Sequence, residues 1–334
     1  MFYEDKTLES YDVLLVDVYG VIKGADGIIA GVESTLKKLV QSGKIVVILS
    51  NTTQKSGAAI ASYERLGIKQ NVHFHEVVTS GQVAYELITA GEIHFRSRPA
   101  PRKFMVLGTP RKELFVDSSY VESPITEADF FYISTPQLSE DEVARIPQNE
   151  RKELFGSKLF AENRYDSLSI APFLPQLKRM HELNLPALNA NPDLIVLESD
   201  RLTNSARYVI RGGSIAQAYE QMGGEVLSIG KPHTLVFRYV LDLLASRHGI
   251  DIKSARMATI GDTLGTDILG ALQASKEFHV SIDAILTLTG VSAASCNQAI
   301  INGGSRCDVE EELQRLFERE GITPDKVIAS LGFQ

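Results

Sequence analysis

Short apolar runs rich in β-branched residues recur along the chain, and each ends in a glycine or a polar residue or just before one. They are Val13–Asp17, Ile45–Ser50, Val226–Gly230, Met257–Gly261 and Ala284–Leu288. Such runs are typical of strands buried on both faces of a parallel sheet. Amphipathic stretches lie between them, among them Val32–Ser42, which Gly43 follows, and Thr234–Arg247. This alternation predicts an α/β fold with a doubly wound parallel sheet.

The middle of the chain interrupts this series. His94–Pro101 is rich in proline and arginine and predicts a loop. Further strands are predicted at Phe104–Gly108, Asp129–Ser134, Ala187–Asn191 and Ile195–Glu198. We therefore expect an inserted domain over residues 82–224 and a first domain formed by residues 1–81 and 225–334.

Composition narrows the classes of function. The length of 334 residues predicts two domains. The net charge of −8 makes a nucleic-acid partner unexpected. No apolar run reaches the roughly 18 residues of a membrane helix, and residues 1–10 do not resemble a secretory signal. Cys296 and Cys307 lack the spacing of a metal site or a disulfide framework. We expect a cytoplasmic protein with reduced cysteines, although a secreted protein without a signal would look the same.

Carboxylates follow two of the predicted strands. Asp17 ends the first run, Asp262 follows the run that ends at Gly261, and Asp267 comes five residues later. Ligands of doubly wound sheets bind at the carboxyl ends of strands, and Mg²⁺ prefers carboxylate oxygens. The three residues together predict a Mg²⁺ site. A single aspartate in such a place is more often a turn former or a helix cap.

Two more strand ends carry groups that can hold a phosphate. The segment Ser50-Asn51-Thr52-Thr53 offers hydroxyl and backbone N–H donors, although it suits a helix N-cap equally well. Lys231 in Gly230-Lys231-Pro232 can neutralise a phosphoryl oxygen or hold a nucleophilic aspartate, although a single lysine is usually a surface residue. The glycine spacing before Lys231, and Pro232 where a Ser or Thr is required, exclude a P-loop.

In chain order, these segments resemble the four motifs of the haloacid dehalogenase (HAD) superfamily. The matching segments are Asp17–Ile22 (DVYGVI), Leu49–Asn51 (LSN), Gly230–Pro232 (GKP) and Gly261–Asp267 (GDTLGTD). The insertion resembles the cap of class IIA members, which are sugar-phosphatase-like, because segments of that class are similar to Asn191-Pro192-Asp193, Gly213-Ser214-Ile215 and Thr289-Gly290. The resemblance implies a Rossmann-like core with an inserted α/β cap.

The resemblance also implies a reaction. Asp17 is expected to attack phosphorus and form an aspartyl-phosphate, which makes the chain a Mg²⁺-dependent phosphatase of a small phosphorylated metabolite. Mg²⁺ is expected to bind Asp17, Asp262 and the backbone carbonyl of Tyr19, with Asp267 as a further ligand or a neighbour of one. The residues expected to hold the phosphoryl group or the rest of the substrate are Ser50, Asn51, Thr52, Asn191, Asp193 and Lys231.

The sequence departs from the family pattern at Tyr19. Phosphatases of the family carry a second aspartate there, which protonates the leaving oxygen and then activates water. A tyrosine ordinarily ionises near pH 10 and is a poor proton shuttle at neutral pH, and loss of a general acid costs about 10²–10⁴-fold in rate. Some class IIA relatives also carry an aromatic residue here. The alternative is therefore a catalytically impaired protein that binds Mg²⁺ and a phospho-ligand, unless Asp193 or the substrate supplies the proton.

The resemblance extends to the expected cap. It is expected to close over the site and select the substrate, and caps of this class often take part in homodimers. Arg207 and Arg211 are candidates for binding a second anionic group, although most arginines are solvated surface residues. The residues His73, His75 and His94 are expected in loops or at the surface, because their spacing does not form a metal site.

Overall fold

The computed structural model describes residues 5–24, 27–159, 163–200, 205–291, 296 and 306–333. Its strands are β1 (Val13–Val16), β2 (Lys23–Gly24), β3 (Gly27–Ile28), β4 (Ile45–Ser50), β5 (Glu76–Thr79), β6 (Lys103–Leu107), β7 (Val121–Glu122), β8 (Phe130–Ile133), β9 (Gln137–Ser139), β10 (Phe155–Leu159), β11 (Arg164–Ser167), β12 (Ala187–Asn189), β13 (Ile195–Asp200), β14 (Ser205–Ile210), β15 (Val226–Ser228), β16 (Arg256–Gly261), β17 (Ser281–Thr287) and β18 (Lys326–Ile328).

The helices alternate with many of these strands. They are α1 (Val32–Gln41), α2 (Ser56–Arg65), α3 (Ser80–Ala90), α4 (Glu140–Ala144), α5 (Arg151–Leu154), α6 (Leu174–Glu182), α7 (Gly212–Gln221), α8 (Thr234–His248), α9 (Leu269–Phe278) and α10 (Arg306–Glu320). Across the ranges given above, no helix is both long enough and apolar enough to span a membrane.

The chain divides into two compact units. The first consists of Met1–Ser50, Ser56–Thr79 and Gly230–Gln334, and the second of Asn51–Lys55 and Ser80–Ile229. The insertion of one unit between segments of the other agrees with the architecture expected from the sequence. The assignment of residues 82–224 as a cap stays a prediction.

The first unit contains a six-stranded sheet in the order β18-β17-β16-β1-β4-β5. All of its pairings are parallel, so the predicted doubly wound sheet is confirmed. The chain begins at β1, extends the sheet outward to β5, and later adds β16 on the other side of β1. The strand order therefore reverses between β1 and β16, which is where open α/β sheets bind their ligands.

Burial explains why these segments form the central strands. Every residue of β1 is buried, as are the last five residues of β4 and of β16. Apolar side chains on α1 (Val32, Leu36 and Leu39) pack into the same core. Helix α1 ends where the sequence predicts, because Gly43 adopts a φ of 82° that favours glycine.

The second unit is built around a parallel five-stranded sheet in the order β15-β12-β8-β6-β7. An antiparallel three-stranded sheet, β10-β11-β9, and the hairpin β13–β14 complete its described strands. Its core contains Phe131 and Ile133 of β8, Leu177 and Met180 of α6, and Tyr219 of α7. The unit therefore has its own sheet and its own core, as expected of a separate domain.

One predicted strand belongs to a different sheet than expected. Val226–Gly230 is predicted to belong to the first domain, but β15 pairs with β12 of the second unit, with Val226 opposite Ala187 and Ser228 opposite Asn189. The boundary between the units accordingly lies after Ile229. A short apolar run predicts a strand, but the pairing partner is set by a segment about 40 residues earlier, which local pattern does not encode.

Candidate active site

The two strands that flank the reversal of strand order end in aspartates. Val16 of β1 pairs with Ile260 of β16, so that Asp17 and Asp262 follow neighbouring parallel strands at the same edge of the sheet. A parallel sheet brings the carboxyl ends of its strands together. The topology alone therefore places these two side chains side by side.

Asp267 completes a cluster of three carboxylates. One oxygen from each of Asp17, Asp262 and Asp267 lies within 4.8 Å of the others. Asp267 belongs to a π-helical turn, Leu264–Ile268, that precedes α9, and its Oδ2 accepts a hydrogen bond of 3.2 Å from the backbone N–H of Thr263. This wide turn begins at Leu264, three residues before Asp267.

Lys231 joins two members of the cluster. Its Nζ donates to Oδ1 of Asp17 and to Oδ1 of Asp267, both at 2.6 Å, and to the backbone carbonyl of Leu49 at 2.9 Å. Three acceptors satisfy the three N–H donors of an ammonium group. Because Lys231 is buried, these bonds account for how its charge is tolerated inside the unit.

The cluster shifts the pKa values of its members. Burial, together with the charges of Asp267 and Asp262, raises the pKa of Asp17 well above its usual range, although Lys231 opposes the shift. Burial and the charge of Asp267 raise the pKa of Asp262 to about 7. Burial disfavours the charge of Lys231, but Asp17 and Asp267 outweigh it and raise its pKa. Three ionised carboxylates would carry more negative charge than Lys231 offsets, so without a further cation the cluster favours protonated carboxyl groups.

These residues fit a hard divalent cation. One ammonium faces three carboxylates, and a divalent cation would supply the missing positive charge at a site of oxygen donors. Mg²⁺ also keeps several waters, so a few protein ligands are enough.

Two glycines let the backbone approach Asp262 closely. A Cβ atom on Gly20 would lie 2.3 Å from Oδ2 of Asp262, and one on Gly290 would lie 1.8 Å from the same oxygen. The backbone N–H of Val291 donates to that oxygen at 2.7 Å. The hydroxyl of Thr289 donates to the carbonyl of Gly20. The Thr289-Gly290 pair, noted in the sequence only through resemblance, thus holds the aspartate in place.

Ser50 lies at the end of β4 and is buried. Its hydroxyl shares a hydrogen bond with the hydroxyl of Tyr63 on α2, and burial raises the pKa of Tyr63 above its usual value. The charge of Asp17 acts on Tyr63 in the same direction. Tyr63 is not predicted from the sequence, since a tyrosine in an amphipathic helix looks like an ordinary core residue. The signal that the sequence does carry is its place in the helix that follows Ser50–Thr53.

The remaining predicted substrate residues lie in the second unit. Asn51 donates from Nδ2 to Oδ1 of Asp193 at 2.8 Å, and the N–H of Asp193 donates to Oδ1 of Asn191 at 3.1 Å. The carbonyl of Thr52 accepts from the hydroxyl of Ser80 at 3.1 Å. The structure therefore brings Asn51, Asn191 and Asp193 together.

The second predicted cap segment packs against the first. The N–H of Gly213 donates to the carbonyl of Asp193 at 3.1 Å, and a Cβ on Gly213 would lie 2.1 Å from the carbonyl oxygen of Pro192. Of the two candidate arginines, Arg207 is exposed on β14, and Arg211 lies 3.9 Å from Asp166.

The three histidines lie in loops, as expected. His73 is nevertheless buried, and its Nδ1 accepts from the N–H of Lys69 at 2.8 Å. In the described ranges, the three aspartates are the one group of three or more His, Cys, Asp or Glu side chains close enough to share a metal ion.

Comparison with known proteins places the chain in a family. The model of the haloacid dehalogenase-like hydrolases matches residues 14–119, and a second, HAD-hydrolase-like model matches residues 228–331. The chain belongs to the haloacid dehalogenase-like hydrolases. The two matched segments contain Asp17, Ser50, Lys231 and both later aspartates.

Several relatives of this HAD-like chain are phosphatases. It is 23% identical to phosphoglycolate phosphatase 1A of Arabidopsis thaliana, over 87% of this chain and 72% of that protein. A possible sugar phosphatase from Cytophaga hutchinsonii shares the fold with a TM-score of 0.66 and 20% identity, over the full length of both chains. A glycerol phosphate phosphatase from Mycobacterium tuberculosis, in complex with magnesium, matches with a TM-score of 0.56 and 18% identity over 97% of this chain and 75% of that one.

Proposed function

We propose that this HAD-like hydrolase is a Mg²⁺-dependent phosphatase of a small phosphorylated metabolite, with Asp17 as the nucleophile. The observation that carries the proposal is the buried cluster in which Lys231 bonds Asp17 and Asp267 beside Asp262. The phosphatase names among the relatives support the reaction class, and the magnesium complex of the mycobacterial protein supports the choice of cation.

Each residue of the cluster has a role in this proposal. A carboxylate oxygen of Asp17 attacks phosphorus, the ester P–O bond breaks, and the leaving oxygen takes up a proton. Water then attacks the aspartyl-phosphate, which releases inorganic phosphate and regenerates Asp17. Lys231 holds Asp17 in position and offsets negative charge, and the Ser50 hydroxyl donates to a phosphoryl oxygen.

The proposed cation ligands are Asp17, Asp262 and the backbone carbonyl of Tyr19, with Asp267 as a ligand or neighbour. The bound cation supplies neutralisation of the phosphoryl oxygens. Asp267 is bound by Lys231 and by the N–H of Thr263, so its contribution is to fix Lys231 and the turn that follows Asp262.

The second unit is proposed to select the substrate. The network of Asn51, Asn191 and Asp193 offers amide and carboxylate groups for the part of the substrate beyond the phosphate. Phosphoglycolate and glycerol phosphate, the substrates named for relatives, are the first metabolites to assay.

Phosphate release tests the proposal, and the choice of leaving group tests the role of Tyr19. We expect Mg²⁺-dependent release from an aryl phosphate, whose leaving group needs no acid, and slower release from an alkyl phosphate. Asp17→Asn should abolish both, because an amide is not a competent nucleophile. If folded, Mg²⁺-binding protein releases no phosphate in an Asp17-dependent way, from these esters or from the two metabolites, the phosphatase proposal is wrong.

A further inference from the structure

Lys23 lies over the ring of Tyr19. Its Nζ is 4.9 Å from the ring centroid. The backbone holds both residues in place, because the N–H of Lys23 donates to the carbonyl of Val18 and the N–H of Gly20 donates to the carbonyl of Lys23, each at 2.8 Å. The backbone of this turn therefore fixes where the side chains of Lys23 and Tyr19 begin.

The ammonium of Lys23 can bind a further partner while it lies over the ring. An aromatic face attracts a cation without neutralising it, and three N–H donors remain for other partners. The chain has a net charge of −8, so a half-buried lysine over the ring of Tyr19, two residues from the proposed nucleophile, is a local positive charge that can attract an anion.

The ring beneath Lys23 is open to a ligand. Tyr19 is 47% exposed, although Asp17 and Val18 before it are largely buried. In the family pattern, the side chain two residues after the nucleophile acts on the leaving oxygen. The proposed function would therefore place the exposed ring of Tyr19, and the cation over it, beside the part of the substrate that departs.

We propose that Lys23 and Tyr19 form a subsite for a second anionic group on the leaving portion of the substrate. The substrate class is then a phosphomonoester with a carboxylate or a second phosphate a few bonds from the ester oxygen. Lys23 donates charge-assisted hydrogen bonds to this anion, and the ring of Tyr19 packs against the carbon atoms between the two charged ends. The inference rests on the proposed function, since it takes Asp17 as the place of attack.

Binding of non-hydrolysable analogues tests the subsite without turnover. Calorimetry with Mg²⁺ compares 3-phosphonopropionate, which carries a carboxylate, with propylphosphonate, which does not. We expect the wild-type protein to prefer the carboxylate analogue by about tenfold or more, the gain typical of a charged hydrogen bond. Lys23→Met should lose this preference and bind propylphosphonate as before, and Lys23→Arg should retain most of it.

A matched control removes a comparable cation–aromatic pair elsewhere. Arg238 lies over the ring of Phe278, 5.4 Å from its centroid, on the exposed surface of α8. Arg238→Met should leave both affinities unchanged. If Lys23→Met weakens both analogues equally, or the wild-type protein binds both equally well, Lys23 does not recognise a second anion and the inference fails.

The outcomes also separate this inference from the proposed function. Binding of neither analogue by folded protein in Mg²⁺ overturns both, because the phosphoryl site itself is then absent. A second outcome concerns phosphate release that depends on Asp17. If the ratio of kcat/KM for esters with a carboxylate to kcat/KM for esters without one is the same in the wild type and in Lys23→Met, the subsite is wrong and the phosphatase proposal stands. A ratio that falls about tenfold in Lys23→Met supports both.

Discussion

Lys231 shows how single side chains tie the strand ends of the first unit together. It bonds Asp17 after β1, Asp267 in the turn after β16 and the carbonyl of Leu49 near the end of β4. The sequence places these residues at strand ends, and the order of the sheet then makes them neighbours. Contacts that depend on the third dimension were not predictable, as the bond between Ser50 and Tyr63 shows.

At Tyr63 we predict a defect in phosphate binding. Tyr63→Phe removes only the hydroxyl that bonds Ser50, so Ser50 loses its preferred orientation toward a phosphoryl oxygen. A neutral hydrogen bond is worth about 0.5–1.5 kcal/mol, so the inhibition constant of inorganic phosphate should rise roughly two- to tenfold. The inhibition constant is measured by following hydrolysis of the aryl phosphate at increasing concentrations of inorganic phosphate.

A double-mutant cycle separates positioning from structure. In a Ser50→Ala background, Tyr63→Phe should add almost nothing, because its partner is already gone. Tyr85→Phe, which removes a hydroxyl bonded to Asp117 in the second unit, is the control and should leave inhibition unchanged. Additive effects of Tyr63→Phe and Ser50→Ala would contradict the positioning role.

The elements differ in how far their sequences predict them. Helices α1 and α8 and strands β1, β4, β16 and β17 begin and end within a few residues of the predicted positions, since their apolar periodicity and stop signals are local. The π-helical turn over Leu264–Ile268 was not expected, because it depends on bonds that Asp267 makes back to Thr263. Strand β15 was predicted as a strand but assigned to the wrong sheet, because its local sequence does not specify its pairing partner.

In the loop after β17, we predict that the close approach of Gly290 to Asp262 is needed for Mg²⁺ binding. Gly290→Ala places a Cβ within bonding distance of Oδ2 of Asp262, which forces that carboxylate away from the N–H of Val291. Because groups that orient metal ligands typically contribute 10–100-fold to affinity, Mg²⁺ binding should weaken by about tenfold or more. Isothermal titration calorimetry with Mg²⁺ measures this affinity.

Gly57 provides the matched control. It lies in α2 with an ordinary backbone conformation and nothing within 4 Å of an added Cβ. Gly57→Ala should keep wild-type Mg²⁺ affinity and change stability by at most about 1 kcal/mol, in the favourable direction expected of alanine in a helix. Wild-type Mg²⁺ affinity in Gly290→Ala would mean that Asp262 does not depend on this close approach.

At the scale of the whole molecule, the chain contains two parallel sheets with different strand orders. The first follows the order found in dinucleotide-binding folds and the second that of flavodoxin-like folds. Apolar runs alone predict that parallel strands exist, and the family resemblance predicts that they divide between two domains. Neither specifies that Val226 pairs with Ala187, so the junction near residue 229 was beyond sequence-based prediction.

The excess negative charge of the cluster should be visible in the stability of the whole chain. Without a divalent cation, the pKa of Asp262 is about 7 in the folded state, against an ordinary value of 3.8, because it is buried near Asp267. Between about pH 4 and pH 7, the folded protein therefore holds a proton that the unfolded chain has released. Because the folded state binds more protons, the free energy of unfolding must fall as the pH rises through this window; Asp17 acts in the same direction.

Asp262→Asn tests this account, because the amide cannot ionise. In chelator, its melting temperature should exceed that of the wild-type protein at pH 7 and vary less between pH 4 and pH 7. Mg²⁺ at 100 times its dissociation constant should stabilise the wild-type protein by about 2.7 kcal/mol, whereas Asp262→Asn should gain little. Asp242→Asn, at an exposed position on α8, should behave like the wild-type protein in both respects. Equal stabilisation of Asp262→Asn by Mg²⁺ would remove Asp262 from the proposed ligands, and an unchanged pH slope would mean that its carboxyl group is already ionised in the folded protein at low pH.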